Sequence, residues 1–172
     1  MLKKLSREEF DDFYELLCVS FPSDERRNRS GQLALFDDEK YSVYARSEGA
    51  EPDGILAVWE FDDFLYIEHF AVNPKRRNGG VGSGMLSELS QLAKKRMCLE
   101  VELPEGEMPK RRIAFYERNG FTLNGYDYIQ PSMGEGKEPL PLLIMTTGGE
   151  LDRDGFENIK NTLYKYVYKV LN

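Results

Sequence analysis

Two hydrophobic periods alternate along the chain, and the changes between them divide it into predicted helices and strands. Apolar residues three or four positions apart are typical of amphipathic helices, whereas alternation or short apolar runs are typical of strands. In chain order, the pattern predicts a helix that begins after Ser6, a short helix at 28–36, strands at 40–47, 55–61 and 64–72, a helix at 80–95, a strand at 97–103, a helix at 110–121, strands at 124–130 and 140–147, and a last helix at 156–172.

Three of these helices carry further signals. Glu9 follows Ser6 by three positions, which is the spacing of a capping box at a helix N-terminus. Gly120 is expected to end the helix at 110–121, because glycine adopts the left-handed conformation that follows many helices. The last helix is predicted to bury one apolar stripe, formed by Phe156, Ile159, Leu163, Tyr166, Val167 and Val170.

The connections between the strands predict a mixed sheet. Short turns join the strands at 40–47, 55–61 and 64–72, which favours an antiparallel meander. The strand at 64–72 is apolar on both faces and is therefore expected in the centre of the sheet. A helix joins it to the strand at 97–103, and a crossover of this kind makes two strands parallel. The predicted fold class is α/β, with helices flanking a mixed central sheet.

Composition narrows the class of protein. A chain of 172 residues, 41% hydrophobic and 31% charged, is typical of one globular domain. Its net charge of −7 argues against a nucleic-acid-binding protein. Neither a membrane span nor a signal peptide is expected, because no apolar run is long enough and the first residues are polar. Cys18 and Cys98 lie in apolar surroundings without CxxC spacing, which favours buried, reduced thiols in a cytoplasmic protein and no metal site.

The stretch "NPKRRNGGVGSGML" (73–86) places four glycines within six residues at the predicted start of a helix. Backbone N–H groups at a helix N-terminus, together with the helix dipole, form an anion site, and glycines let a phosphate approach closely. Arg76 and Arg77 add positive charge. The stretch therefore predicts a phosphate or pyrophosphate site. Neither a P-loop nor a dinucleotide-binding motif fits, because Met85 occupies a required position in both.

A match to the pattern R-x-x-G-x-G, from Arg77 to Gly82, remains. In its context, "HFAVNPKRRNGGVGSGML" resembles the acyl-CoA-binding signature of the GNAT N-acetyltransferase superfamily. Downstream, "IAFYERNGF" (113–121) resembles the family's second signature, and the order of elements agrees over residues 1–147. The resemblance implies the GNAT fold, with antiparallel N-terminal strands and a splayed parallel central pair. Residues 148–172 would be a helical extension packed on the same domain.

The resemblance also implies acetyl-CoA as cosubstrate and no metal ion. Family members hold the pyrophosphate with the arginine and loop amides, which here are Arg77, Asn78, Gly79, Gly80, Val81, Gly82 and Ser83. Backbone groups at the end of the preceding strand pair with the pantetheine arm like an added strand, which here means Phe70, Ala71 and Val72. Many members have glycine and a basic residue in place of Asn78 and Gly79, and asparagine tolerates the same unusual backbone angles. Many also have asparagine near Pro109, so the contact that this asparagine makes in the family is not expected here.

The implied reaction is direct attack of a primary amine on the thioester. Tyr116 matches the family's acid tyrosine and would protonate the leaving thiolate. Glu68 interrupts an apolar strand, so partial desolvation is expected to raise its pKa and make it the general base. Glu100, Glu102 or a water relay are rivals for this role. His69 is adjacent to Glu68, is expected on the opposite strand face, and is expected in the core or behind the reacting groups.

Several alternatives stay open. The run from Asp24 to Arg27 borders the acceptor pocket in this fold, where acidic residues suit an amine, but a solvated charge run is the favoured interpretation. The last helix would either cover the sheet or mediate a homodimer. The acceptor would be a small molecule, a peptide or a larger macromolecule. A non-catalytic acyl-CoA sensor or scaffold on the same fold is the alternative to an enzyme.

Overall fold

A computed structural model describes residues 1–49 and 51–171 of the chain. The helices and strands are β1 (Lys3–Lys4), α1 (Phe10–Ser20), α2 (Arg29–Ala34), β2 (Tyr41–Arg46), β3 (Gly54–Glu60), β4 (Phe64–Val72), α3 (Val81–Ala93), β5 (Arg96–Glu102), α4 (Glu107–Arg118), β6 (Phe121–Leu123), β7 (Tyr128–Gln130), β8 (Leu140–Thr147) and α5 (Arg153–Thr162). Their order confirms the sequence prediction, with a short β1 added and the strand at 124–130 replaced by the two short strands β6 and β7. No helix within the described ranges is long and apolar enough to cross a membrane.

The chain forms two compact units, Met1–Met97 and Cys98–Asn172. The predicted domain boundary at residue 147 is a different division and stays a prediction. In the first unit, β1 to β4 pair in sequence order, and every pair is antiparallel. This confirms the predicted meander. Strand β3 is buried from Gly54 to Trp59, which explains its continuous apolar run.

Strand β4 contains a β-bulge at Glu68. Ala57 of β3 is opposite His69 and the next residue, Val58, is opposite Ile67, so Glu68 has no partner position on β3. A bulge adds one residue to a strand and disturbs the alternation of side chains between the two faces. As a result, the side chains of Glu68 and His69 are both buried, and Glu68 Oε2 lies 3.5 Å from His69 Nδ1. The expectation that these neighbours occupy opposite faces was wrong.

The first helix packs on β3 and β4. The capping box between Ser6 and Glu9 is present, although the first turn is a 3-10 turn and α1 itself begins at Phe10. Phe10 and Phe13 are buried, and both rings contact Phe36. Burial of large aromatic rings provides much of the apolar stabilisation in a core of this size.

In the second unit, β8 pairs antiparallel with β5 on one side and with β6 and β7 on the other. Gly120 follows α4 with φ of 86°, which confirms the predicted helix end. Asn124 connects three segments of this unit. Its side chain donates to the Ile144 carbonyl at 3.1 Å and to Thr146 Oγ1 at 3.0 Å, and accepts from the Leu151 N–H at 2.7 Å.

The last helix differs from its prediction. After α5, residues Leu163–Val167 form a π-helical turn, in which the Tyr168 N–H donates to the Leu163 carbonyl at 3.0 Å. A π turn contains more residues than an α turn, so the buried stripe shifts by one position. Tyr168 is therefore buried, whereas Tyr166 and Val170 of the predicted stripe are exposed.

Candidate functional site

The glycine stretch forms the start of α3. Strand β4 ends at Val72, a 3-10 turn follows at Pro74–Arg76, and Gly80 precedes the helix with φ of 74° and ψ of 2°. Asn78 is also left-handed, with φ of 66°, which agrees with the expected tolerance of asparagine. Gly82 and Gly84 lie within the first turns of the helix rather than before it. Amides in the first turn of a helix have no acceptor within the helix, so this segment can bind an anion.

The two arginines before this helix have different surroundings. Arg76 Nε lies 2.8 Å from Oδ1 of Asp53, whose side chain is only 4% exposed. Arg77 Nε donates to the Val72 carbonyl at 3.3 Å, and this contact lies at the protein surface. The guanidinium of Arg77 is therefore the more suitable of the two for a phosphate, as the resemblance implies, while Arg76 is engaged by the neighbouring turn.

Phe70, Ala71 and Val72 form the last part of β4. On one side they pair with β3, opposite Leu56, Ile55 and Gly54. The backbone of this segment leads directly into the turn before α3, so the predicted pantetheine and pyrophosphate contacts belong to one continuous stretch of chain.

Glu68 has a more enclosed setting than the sequence suggests. Its side chain is 1% exposed, and Oε1 accepts a hydrogen bond from Arg27 Nη1 at 2.7 Å. Burial alone would raise the pKa of Glu68, but the charge of Arg27 and the contact with His69 outweigh it and lower the pKa to about 2. The expected rise in pKa was therefore wrong, because the strand pattern cannot reveal a cationic partner from another segment.

The segment 21–27 between α1 and α2 is held on β4 by two further contacts. His69 Nε2 donates to the Glu25 carbonyl at 2.9 Å, and the ring of Phe21 packs edge-on against His69 with centroids 4.8 Å apart. Arg27 is only 13% exposed, so it is not part of a solvated charge run. His69 is 2% exposed, in agreement with its predicted place in the core.

Tyr116 lies on α4 with 8% of its surface exposed. Its ring packs edge-on against Phe115 and Phe121, with centroids 5.4 and 5.6 Å away. Burial raises the pKa of Tyr116 to about 12, although the positive charge of Arg112 opposes this effect. The phenol therefore keeps its proton at neutral pH and can act as a hydrogen-bond donor or an acid.

The two rival carboxylates on β5 are both engaged. Glu100 accepts hydrogen bonds from the hydroxyls of Tyr128 and Tyr168 and from Gln130 Nε2. Burial and the nearby carboxylate together raise the pKa of Tyr128. Glu102 pairs with Arg112 at 3.2 Å in a half-exposed position.

Three features near these residues do not follow from the sequence pattern. They are the pairing of Arg27 with Glu68, the pairing of Asp53 with Arg76, and the contact of Tyr168 with Glu100. Each joins residues that are distant in sequence, and each partner stands in a segment whose local pattern indicates only a turn or a polar helix face.

The buried thiol of Cys98 was predicted correctly, whereas Cys18 is only half-buried. Residues 1–49 and 51–171 contain no cluster of three or more His, Cys, Asp or Glu side chains arranged to hold a metal ion.

Comparison with known proteins identifies the class. The sequence profile described as "Acetyltransferase (GNAT) family" matches residues 10–121, more than half of the chain. The chain therefore belongs to the GNAT acetyltransferase family, whose members use acetyl-CoA. This agrees with the glycine-rich helix start, and it confirms the predicted family, transferase class and coenzyme A binding.

Individual relatives support the same conclusion. A solved structure described as "Putative acetyltransferase from GNAT family" from Bacteroides thetaiotaomicron has 38% identity, covers 99% of both chains and superposes with a TM-score of 0.90, which confirms the predicted fold class. The Bacillus subtilis (strain 168) protein "Putative acetyltransferase YjbC" is 30% identical over 155 residues, which cover 88% of this chain and 79% of the relative. An aminoglycoside 6'-N-acetyltransferase complexed with coenzyme A has the same fold at 15% identity, with a TM-score of 0.63, covering 86% of this chain and 96% of its own.

Proposed function

We propose that this protein transfers an acetyl group from acetyl-CoA to the nitrogen of a primary amine by direct attack in a ternary complex. The observation that carries the proposal is the start of α3. There Asn78 and Gly80 adopt left-handed conformations immediately before a helix N-terminus, and the surface residue Arg77 stands beside them. This combination of free amides, helix dipole and guanidinium suits a pyrophosphate.

The cofactor would be held by one continuous stretch of chain. Arg77 and the amides from Asn78 to Ser83 would bind the pyrophosphate. The backbone of Phe70, Ala71 and Val72 would pair with the amides of the pantetheine arm. This arrangement uses main-chain groups for most contacts, so it depends on the backbone of β4 and the turn after it more than on particular side chains.

In the proposed reaction the amine nitrogen forms a bond to the thioester carbonyl carbon, and the carbon–sulfur bond then breaks. Tyr116 would give its proton to the departing thiolate of coenzyme A. A pKa of about 12 means that Tyr116 starts the reaction protonated at any ordinary pH. The acetyl group passes directly from the sulfur of coenzyme A to the amine nitrogen, so neither cysteine is needed as a nucleophile.

The base must accept a proton from the attacking amine. A carboxylate with a pKa of about 2 is a weak proton acceptor at neutral pH. We therefore propose Glu68 as the base only for a state in which Arg27 has left it. A water relay, or Glu100 or Glu102, would serve if Arg27 stays in place.

The acceptor is proposed to be the amine of a small molecule or a peptide. A homodimer and a cytoplasmic location stay predictions. The two cysteines are thiols rather than a disulfide, and this is consistent with a reducing compartment.

The experiment is isothermal titration with acetyl-CoA, followed by a thiol-release assay over a panel of small amines and peptides with a free amino group. Binding together with release of coenzyme A only when amine is present supports the proposal. Binding without turnover on any acceptor would favour the sensor alternative. Failure to bind acetyl-CoA would contradict the assignment of the α3 start.

A further inference from the structure

Asp53 stands at the end of the turn between β2 and β3 and joins four points of the first unit. Its Oδ2 accepts from the Glu48 N–H at 2.9 Å, and its Oδ1 lies 2.8 Å from Arg76 Nε. Its own N–H donates to the Arg46 carbonyl at 2.7 Å, and its carbonyl accepts from the Asn73 N–H at 2.8 Å. One buried residue thus connects the turn to the segment that leads into α3.

A second contact joins the same two segments. The side chain of Asn73 donates to the Pro52 carbonyl at 3.3 Å and accepts from the Lys75 N–H at 3.1 Å. Asn73 and Arg76 stand at the two ends of the 3-10 turn before the glycine stretch. The turn between β2 and β3 therefore supports the backbone from which the proposed pyrophosphate amides follow.

We propose that Asp53 is a positioning residue for the segment from Arg77 to Ser83, which would bind the pyrophosphate. Asp53 would hold Arg76 so that the amides that follow it point at the cofactor. The proposal rests on the proposed function. Binding by preorganised amides requires the backbone to be held within about 0.5 Å of the productive geometry. In this role Asp53 does not contact the cofactor directly. It also lies outside both family signatures.

The sign of the effect separates positioning from simple electrostatics. Asp53 carries a negative charge near a site for an anion, so its removal should strengthen the binding of coenzyme A if charge alone matters. If Asp53 acts by positioning, its removal should weaken binding, because Arg76 and the following amides lose their fixed geometry. The two explanations therefore predict opposite changes for Asp53→Asn.

The same turn offers a matched control. Glu51 pairs with Lys75 at 3.3 Å, but both side chains are more than two-thirds exposed. Glu51→Gln removes the same charge at a similar place without removing a buried contact. Exposed pairs of this kind contribute little.

The experiment is isothermal titration of the wild-type protein and the two variants with coenzyme A. We expect Asp53→Asn to bind about fivefold more weakly and Glu51→Gln to bind within about twofold of wild type. In the thiol-release assay, the KM for acetyl-CoA should rise in Asp53→Asn, while kcat and the KM for the amine stay unchanged. A general loss of structure would change all three.

A second variant addresses the same contact if Asp53→Asn does not fold. Arg76→Lys keeps the charge on a half-exposed side chain but cannot reproduce the geometry of the guanidinium. It should also weaken the binding of coenzyme A. If the wild-type protein binds coenzyme A and both Asp53→Asn and Arg76→Lys bind it equally well or more tightly, this inference alone is overturned. A wild-type protein that does not bind coenzyme A would overturn the proposed function and this inference with it.

Discussion

Arg27 Nη1 lies 2.7 Å from Glu68 Oε1, and the two side chains are 13% and 1% exposed. The segment between α1 and α2 is thereby attached to the bulge residue of β4, which has no partner position on β3. Removing a single member of a buried ion pair leaves an uncompensated charge in a medium of low dielectric constant, which is strongly unfavourable. The pair is therefore expected to influence both the stability of the fold and the proton chemistry of Glu68.

The first prediction concerns the dependence of stability on pH. The pKa of Glu68 is lower in the folded chain than the usual 4.5. Its contribution to the free energy of unfolding is therefore complete above pH 4.5 and is lost as the pH falls towards 2. We expect Glu68→Gln to lower the free energy of unfolding at pH 7 by on the order of 3 kcal/mol. The difference from wild type should shrink at pH 3, as measured by urea unfolding at both pH values.

Glu102→Gln is the matched control for this prediction. Its partner, Arg112, is also an arginine, but both side chains are nearly half exposed. It should change stability by less than about 1 kcal/mol. If the gap between Glu68→Gln and wild type were the same at both pH values, Glu68 would not have the lowered pKa described above.

The second prediction concerns the proposed base. Arg27→Gln removes the charge that lowers the pKa of Glu68, while burial still raises it. If Glu68 is the base, the acid limb of kcat/KM should move to higher pH in this variant. Arg26→Gln is the control, because Arg26 bonds the hydroxyl of Tyr14 and the carbonyl of Phe21 instead. Identical pH profiles for wild type and both variants would remove Glu68 from the mechanism.

The third prediction concerns the proposed acid. Tyr116→Phe retains the buried ring but loses the proton donor, so kcat should fall about 100-fold while the affinity for acetyl-CoA stays within about twofold. Stopped assays of thiol release and titration with acetyl-CoA measure the two quantities. Tyr166→Phe, at an exposed tyrosine of the tail, should change neither. A kcat of wild-type size in Tyr116→Phe would show that another group, or solvent, protonates the thiolate.

The fourth prediction concerns Asn124. Replacement by alanine leaves the buried Leu151 N–H and the groups at Ile144 and Thr146 without its side chain. We expect Asn124→Ala to reduce the free energy of unfolding by about 2–4 kcal/mol, because several buried polar groups lose partners together. The exposed Asn161→Ala should have an effect of less than about 0.5 kcal/mol. Thermal or urea unfolding that finds equal stability for the two variants would contradict the role assigned to Asn124.

The parts of the fold that follow from local chemistry were predictable from the sequence. The apolar period around Phe10 and Phe13 gave α1, and the spacing of Ser6 and Glu9 gave its capping box. The need for left-handed backbone gave Gly120 at the end of α4. Each of these signals involves only a few neighbouring residues, so it can be recognised from the sequence alone.

The features that were not predictable depend on contacts between residues that are far apart in the sequence. Glu68 interrupts an apolar strand, but its bulge arises from pairing with β3, and its partner Arg27 lies in a run that looks solvated. The predicted buried stripe of the last helix was wrong because a π turn changes the helical period. The residue types in Leu163–Val167 give no indication of such a turn. Burial of Tyr168 beside Glu100 is the result of that shift.

The bulge in β4 also bears on how the length of this strand can change. Across most of β4, deletion of one residue would exchange the two faces of everything that follows, because side chains alternate. Glu68 has no partner position, with Ile67 and His69 opposite consecutive residues of β3. Deletion of Glu68 alone would leave both flanking pairs with β3 intact and convert the strand to a regular ladder. Position 68 is thus a point at which β4 can lose one residue without changing the pairing around it.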